Sequence, residues 1–265
     1  MRVAVCVKQV PDTEARLRVD REGRWIDEED LPFVLNESDT YALEEGLRIA
    51  ESTGGEVVAF SLGPARVQEA LRKALALGAA RAVHLTGDEF EGGDAISTGR
   101  ALASAIARES FDLVLTGSQS DDAGFGSTGS IIAGHLGWPS AWLVMGVEIE
   151  ESGDSARVVR EMESGVNEIL RLRLPAVLQI QAGLNHPRYA SLRGIMQAKK
   201  KEMLELSAAD VGLEPERVGA AGARLEILSV SFPDSGADAE MLEGDAATVA
   251  DELVRKLRTE AKVLS

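Results

Sequence analysis

Four short apolar runs, at residues 3–7, 57–62, 82–85 and 113–116, are continuous where a half-exposed strand would alternate, and helical periodicity fills the intervals between them. A strand apolar on both faces is buried on both faces, which in a soluble chain means a parallel sheet covered by helices on either side. The intervals supply those helices. Leu43, Leu47 and Ala50 recur at helical spacing, as do Val67, Ala70, Leu71, Ala74 and Leu75, and Ala103 and Ile106 follow on the stretch after Asp94. Alternating strand and helix predicts an α/β fold with a doubly wound parallel sheet. Asn36 or Ser38 is placed to cap the helix that runs to Glu51, while Gly54, Gly55 and Gly78 are suited to end helices in left-handed geometry.

After Trp138 and Pro139 the rhythm changes. Residues 144–149, 157–161 and 166–172 are short β-prone pieces separated by turn signals at 152–154 and 164–165, which predicts a small antiparallel appendage. Residues 176–180 offer one more strand, followed by a polar excursion over 183–193 and a helix-prone piece ending in Lys199, Lys200 and Lys201. An exposed excursion of this kind is a functional candidate. Beyond it, a strand is expected at 225–231 and an amphipathic helix around Val249, Leu253 and Leu257. The chain thus divides into an α/β domain over 1–213 and a C-terminal arm over 214–265, with no internal repeat.

Charge and composition exclude several roles. Forty-four acidic against 28 basic side chains give a formal net charge of −16, which repels polyanions, so no nucleic-acid partner is expected. Every hydrophobic stretch is broken well short of the ~20 residues a membrane helix needs, so direct membrane insertion is not expected. Cys6 is the only cysteine, and the N-terminus passes into a strand pattern without the regions of a signal peptide, pointing to a cytoplasmic setting. His84, His135 and His186 lie far apart with no ligand spacing around them, so no metal site is expected. Nucleophile-elbow, Walker and dinucleotide-fingerprint signatures are absent, and Cys6 sits in an apolar strand where a thiol serves as a small hydrophobe. No catalytic residue is assigned.

The stretch from Leu115 to Gly129, LTGSQSDDAGFGSTG, follows a strand and leads into a helix. In an open parallel sheet ligands bind at the carboxyl ends of strands, and here Gly117, Gly124 and Gly126 would bring backbone N–H groups to a phosphate while Ser127 and Thr128 add hydroxyls at a helix N-terminus. A flexible connecting loop has the same composition. Asn36 and Asp39, at another helix start, suit either an adenine or ribose contact or simple capping.

Several segments, in order, resemble the beta subunits of electron-transfer flavoproteins. They are Val7-Lys8-Gln9-Val10-Pro11-Asp12; Asn36 with Ala42-Leu43-Glu44-Glu45-Gly46-Leu47; Ala74-Leu75-Ala76-Leu77-Gly78-Ala79; Gly117-Ser118-Gln119 through Leu136-Gly137-Trp138-Pro139; and Leu184-Asn185-His186-Pro187-Arg188-Tyr189-Ala190-Ser191-Leu192 through Lys201. The last is the most specific, and the likeness covers residues 2–213, weakening in the arm. It implies a Rossmann-like, adenine nucleotide alpha-hydrolase-like sheet in a heterodimer whose alpha subunit carries the redox FAD. It also implies AMP held here by Cys6, Asn36, Asp39, Gly117, Gln119, Asp122, Gly124, Gly126, Ser127 and Thr128. The function implied is electron transfer from flavin dehydrogenases, acyl-CoA dehydrogenases among them, to a respiratory or quinone-linked acceptor such as an ETF-quinone oxidoreductase. The subunit itself would carry electrons without being an enzyme. Leu192 resembles the anchor of the family's recognition loop, with Arg188 and Tyr189 beside it. Two alternatives stay open: a bifurcating beta subunit holding a second redox FAD, and a free-standing adenine-nucleotide sensor. The departure lies at 123–128, where Ala123-Gly124-Phe125-Gly126-Ser127-Thr128 replaces the more acidic run of many relatives, and at Thr13, where many carry an aromatic residue.

Overall fold

The computed structural model describes residues 1–233 and 239–264. Strand β1 (Arg2–Cys6) is followed by the short β2 (Gln9–Pro11) and β3 (Phe33–Leu35), then helix α1 (Glu37–Thr53). Next come β4 (Glu56–Leu62), α2 (Gln68–Leu77), β5 (Arg81–Leu85), α3 (Ala95–Ile106), β6 (Leu113–Gly117) and α4 (Thr128–Leu136). The second half holds β7 (Ser140–Ile149), β8 (Ser155–Glu161), β9 (Asn167–Arg173), β10 (Ala176–Ile180), α5 (Leu192–Ala198) and β11 (Met203–Leu206). Two helices close the chain, the single-turn α6 (Gly219–Gly222) and α7 (Ala246–Thr259).

The main sheet has nine strands in the order β11-β5-β4-β1-β6-β10-β7-β8-β9, parallel from β11 through β7 and antiparallel from β7 to β9. β2 and β3 form a separate antiparallel pair. The continuous apolar runs have the expected cause. Val3, Val5 and Val7 point into one core with Leu43 and Leu47 of α1 and Leu71 and Leu75 of α2. Ala4 and Cys6 point into the other, with Leu102 and Ile106 of α3 and Ile132 of α4. In that second core the rings of Phe60 and Phe111 meet edge to face, 5.7 Å between centroids, a favoured geometry for aromatic pairs. Gly54 ends α1 in the left-handed conformation at φ 68°, whereas Gly78 ends α2 at φ 141°, positive but outside the left-handed helical basin.

The antiparallel pieces are present, but they extend the edge of the main sheet through β7 and are not a detached unit. The strand expected at 225–231 does not form. Leu225, Ile227 and Leu228 are exposed there, and among the described residues the one backbone-to-backbone bond runs from the Val230 N–H to the carbonyl of Gly23, while the Leu225 N–H donates to Asp94. β-prone residues without a neighbouring edge have no ladder to complete. The expected last helix is α7, amphipathic and without a buried residue. The expected arm includes residues 234–238 and 265, which lie outside the described residues.

Candidate functional site

From β1 the chain crosses to β4 and β5 on one side, then returns to β6 on the other, so strand order reverses between β1 and β6. The loops leaving neighbouring strands diverge at such a point and open a crevice at their carboxyl ends. The first turn of α1 stands over this crevice. Asp39, only 6% exposed, is turned inward: its Oδ2 accepts from the Lys8 N–H after β1 at 2.7 Å, and its Oδ1 accepts from the Gly117 N–H at the end of β6 at 2.9 Å. One carboxylate therefore ties the two diverging loops to the helix. Burial pushes its pKa up to about 7, against the opposing pull of those N–H donors and the Lys8 charge. Gly117 is compulsory, since a Cβ there would lie 2.3 Å from Ser38 Oγ and 2.4 Å from Asp39 Oδ1.

Asn36 occupies the N-cap position of α1 but makes no side-chain cap. Its amide spans to the loop after β6, with Nδ2 donating to the Gln119 carbonyl and Oδ1 accepting from the Asp121 N–H, both at 3.0 Å. Ser38 Oγ donates to the same Gln119 carbonyl at 2.6 Å. Asp122 lies across the crevice mouth, its Oδ1 2.6 Å from Lys8 Nζ. Burial raises the Asp122 pKa, but the Lys8 charge and hydrogen bonds outweigh it and hold the group below its ordinary value. Gly124 and Gly126, at φ 62° and 61°, turn the loop into α4.

The start of α4 is open. Ser127 at its N-cap makes no side-chain cap, and the N–H groups of Thr128, Gly129 and Ser130 have no acceptor among the described residues. Unpaired first-turn donors and the positive end of the helix dipole suit a phosphate. The donor set fits a nucleotide phosphate better than a metal, and no group of three or more His, Cys, Asp or Glu able to hold a metal ion occurs among the described residues. Cys6 is buried at the end of β1, and burial first, then the Asp39 charge, raises its thiol pKa far above the ordinary value. Its side chain lies in the core shared with α3 and α4. His84 is a core residue whose Nε2 lies 2.8 Å from the Gly63 carbonyl.

Leu192, Arg188 and Tyr189 belong to a second surface. They sit between β10 and the end of the first turn of α5, with Arg188 against α1 and α5 packed on α2. Leu192 is 84% and Tyr189 98% exposed, and Met196 lies one helical turn from Leu192, also exposed. Arg188 differs from them, half-buried and paired to Glu44 and Glu51 of α1. Ser191 Oγ caps α5 by accepting from the Gly194 N–H at 3.0 Å. Lys201 is not a free surface charge: its Nζ donates to the carbonyls of Leu75 and Ala79 at 2.9 and 2.6 Å, capping the end of α2.

Sequence reasoning missed the roles of Lys8, Ser38 and Asp121 in the crevice. Lys8 follows a strand end and Ser38 a helix start, positions that mark a crevice once strand order is known. Asp94, taken only as the place where α3 begins, has a further role. Its Oδ1 accepts from the N–H groups of Ile96 and Ser97, and its Oδ2 from those of Arg224 and Leu225, fixing the root of the C-terminal segment.

The electron transfer flavoprotein domain profile matches residues 24–211. Electron transfer flavoprotein subunit beta of Methylophilus methylotrophus is 42% identical over 257 residues, covering 96% of this chain and 97% of the relative. The subunit of the same name from Thermoanaerobacterium thermosaccharolyticum is 36% identical, covering 98% of each chain. The Caffeyl-CoA reductase-Etf complex subunit CarD of Acetobacterium woodii is also 36% identical, covering 97% of this chain and 98% of the relative. With its doubly wound sheet, this chain belongs to the electron transfer flavoprotein beta-subunit family.

Proposed function

We propose that this chain is the non-catalytic beta subunit of a heterodimeric electron transfer flavoprotein, holding AMP in the crevice between β1 and β6. The observation that carries the reading is the first turn of α4, whose N–H groups face an open loop without a protein acceptor. Ser127, Thr128 and the backbone of Gly124 and Gly126 would hold the phosphate. The backbone at Cys6 and Gly117 would border the nucleoside, while Gln119 and Asp122 line the loop. Asn36 and Asp39 act chiefly by fixing that loop, since their side-chain polar atoms are already engaged within the protein. AMP supplies no redox chemistry. Electrons pass through the FAD of the alpha subunit, from flavin dehydrogenases such as acyl-CoA dehydrogenases to a respiratory acceptor or an ETF-quinone oxidoreductase.

Tyr189 and Leu192 form the docking face for the donor. A small apolar contact suits a shuttle, because one well-buried anchor gives specificity while limited area permits release. The exposed apolar side chains of the arm over 214–265, including Leu253 and Val254 of α7, suit packing on the alpha subunit. No described helix is long and apolar enough to cross a membrane. A cytoplasmic setting, expected from the sequence, is part of this proposal.

A second reading has two observations in its favour. The likeness to a subunit of a caffeyl-CoA reductase-Etf complex, together with the glycine-rich loop over 123–128, suits a bifurcating subunit with a second FAD in the same crevice. Nucleotide stoichiometry separates the two. The heterodimer is purified and denatured, and its released nucleotides are quantified by chromatography. One FAD with one AMP supports the carrier, and two FAD with no AMP supports bifurcation. An absent alpha partner with an adenine nucleotide on the isolated chain would leave a nucleotide sensor.

A further inference from the structure

The docking loop has a mechanical difficulty. It displays Tyr189 and Leu192 almost fully to solvent, so neither of those side chains holds it in place; Leu184 at its start packs on the core, and α5 at its end packs on α2. Between those two anchors, Gly183, Leu184, Asn185 and His186 border an open surface groove of about 330 Å³ beside Glu44 and Arg48 of α1. The stretch that carries Arg188 is tied to α1 by polar bonds. The Arg188 guanidinium makes a two-point bond to Glu44, Nε to Oε2 at 2.8 Å and Nη2 to Oε1 at 3.1 Å. It makes another to Glu51, Nη1 to Oε1 at 2.5 Å and Nη2 to Oε2 at 3.1 Å. The Arg188 N–H also donates to Glu44 at 3.2 Å. Three residues earlier, Asn185 Nδ2 donates to Glu45 at 3.0 Å and to the Tyr41 carbonyl at 3.1 Å.

Glu44 and Glu51 are seven residues apart, two turns on one face of α1, a spacing that a planar guanidinium can bridge where an ammonium cannot bond both carboxylates edge-on. Glu44 is buried, which a carboxylate tolerates only with such a partner. Resting on the docking reading above, we propose that Arg188 is a positioning residue: clamped between Glu44 and Glu51, it fixes the Tyr189 and Leu192 face on helix α1 before a donor arrives, and is not itself a contact to that donor. Binding then avoids the cost of ordering the loop.

The test uses the intact heterodimer and an acyl-CoA dehydrogenase shown to reduce the parent. Arg188→Ala alone would orphan buried Glu44, so Arg188→Ala/Glu44→Gln removes the clamp without that charge, and Arg188→Lys keeps the charge but not the bridging geometry. The double variant is expected to raise the KM for the flavoprotein about tenfold at unchanged kcat, the scale of ordering one or two side chains. Hydrogen exchange should quicken over 184–198 but not over α4, and Arg188→Lys should fall between. Unchanged exchange over 184–198, or faster exchange with an unchanged KM while Leu192→Ala raises it, overturns the clamp. An unchanged KM in Leu192→Ala removes the docking reading instead, and loop exchange in the double variant then decides whether Arg188 fixes the loop.

Discussion

Replacing Asp39 by Asn tests how the crevice is built, and its effect should change with pH. The carboxylate accepts two N–H bonds, at 2.7 Å from Lys8 and 2.9 Å from Gly117, and an amide must turn its NH2 toward one of those donors. Leaving one buried N–H unmatched costs about 1–3 kcal/mol at any pH. Against this stands the burial of the charge, which carries the carboxyl from an ordinary 3.8 to about 7. A folded-state pKa above the unfolded one means that the folded chain holds the proton longer. The contribution is therefore complete below pH 4 and is lost as pH rises to 7. Between pH 5 and pH 8 the parent should lose about 2–3 kcal/mol that the Asn variant keeps, from two pH units at about 1.4 kcal/mol each. Asp39→Asn is thus expected to be less stable than the parent at pH 5 and equal to it or more stable at pH 8. Urea unfolding at the two pH values, with chromatography of retained nucleotide, reads both effects. A parent-to-variant difference that is flat across this range would show that the N–H donors and Lys8 outweigh burial, and the argument would fail.

Gly117→Ala should destabilise the chain by about 1–3 kcal/mol and release the nucleotide proposed for the crevice, because its Cβ would displace Ser38 and Asp39 together; thermal unfolding and nucleotide content check this. Asp94→Ala leaves four backbone donors unmatched and should cost about 2–3 kcal/mol while speeding hydrogen exchange at 224–230. Burial raises the Asp94 pKa, but its N–H donors outweigh that and leave the group below the ordinary value, so its stabilisation is present above pH 4 and lost in acid; stability curves of parent and variant should converge there. Leu192→Ala should slow reduction by the donor dehydrogenase without changing nucleotide content or heterodimer formation. Unchanged reduction kinetics would count against Leu192 as the anchor.

The sequence alone determined the parallel sheet and its helices, because residues apolar on both sides of a strand have only one kind of environment that accepts them. Val3, Ala4 and Val5 need two covered faces whatever the order of the strands. It also marked the glycine-rich segment before α4 and, through its resemblance to a family, an exposed leucine at 192. Very short elements were not legible. β2 and β3 have three residues each and β11 four, too few to show a period, and they exist because a partner edge lies beside them. The strand expected at 225–231 is the converse, a β-prone run with no neighbour to pair with. Tertiary structure alone decided what the polar groups do. Asn36 and Asp39 have the composition of helix caps, yet both turn across the crevice, because the reversal of strand order brings Lys8 and Gly117 to the first turn of α1. Arg188 looks from its sequence neighbours like part of a docking surface, and the packing of its loop on α1 pairs it with Glu44 and Glu51. Local pattern fixes which side chains must be buried, while a polar group's partner depends on which distant backbone atom the fold delivers to it.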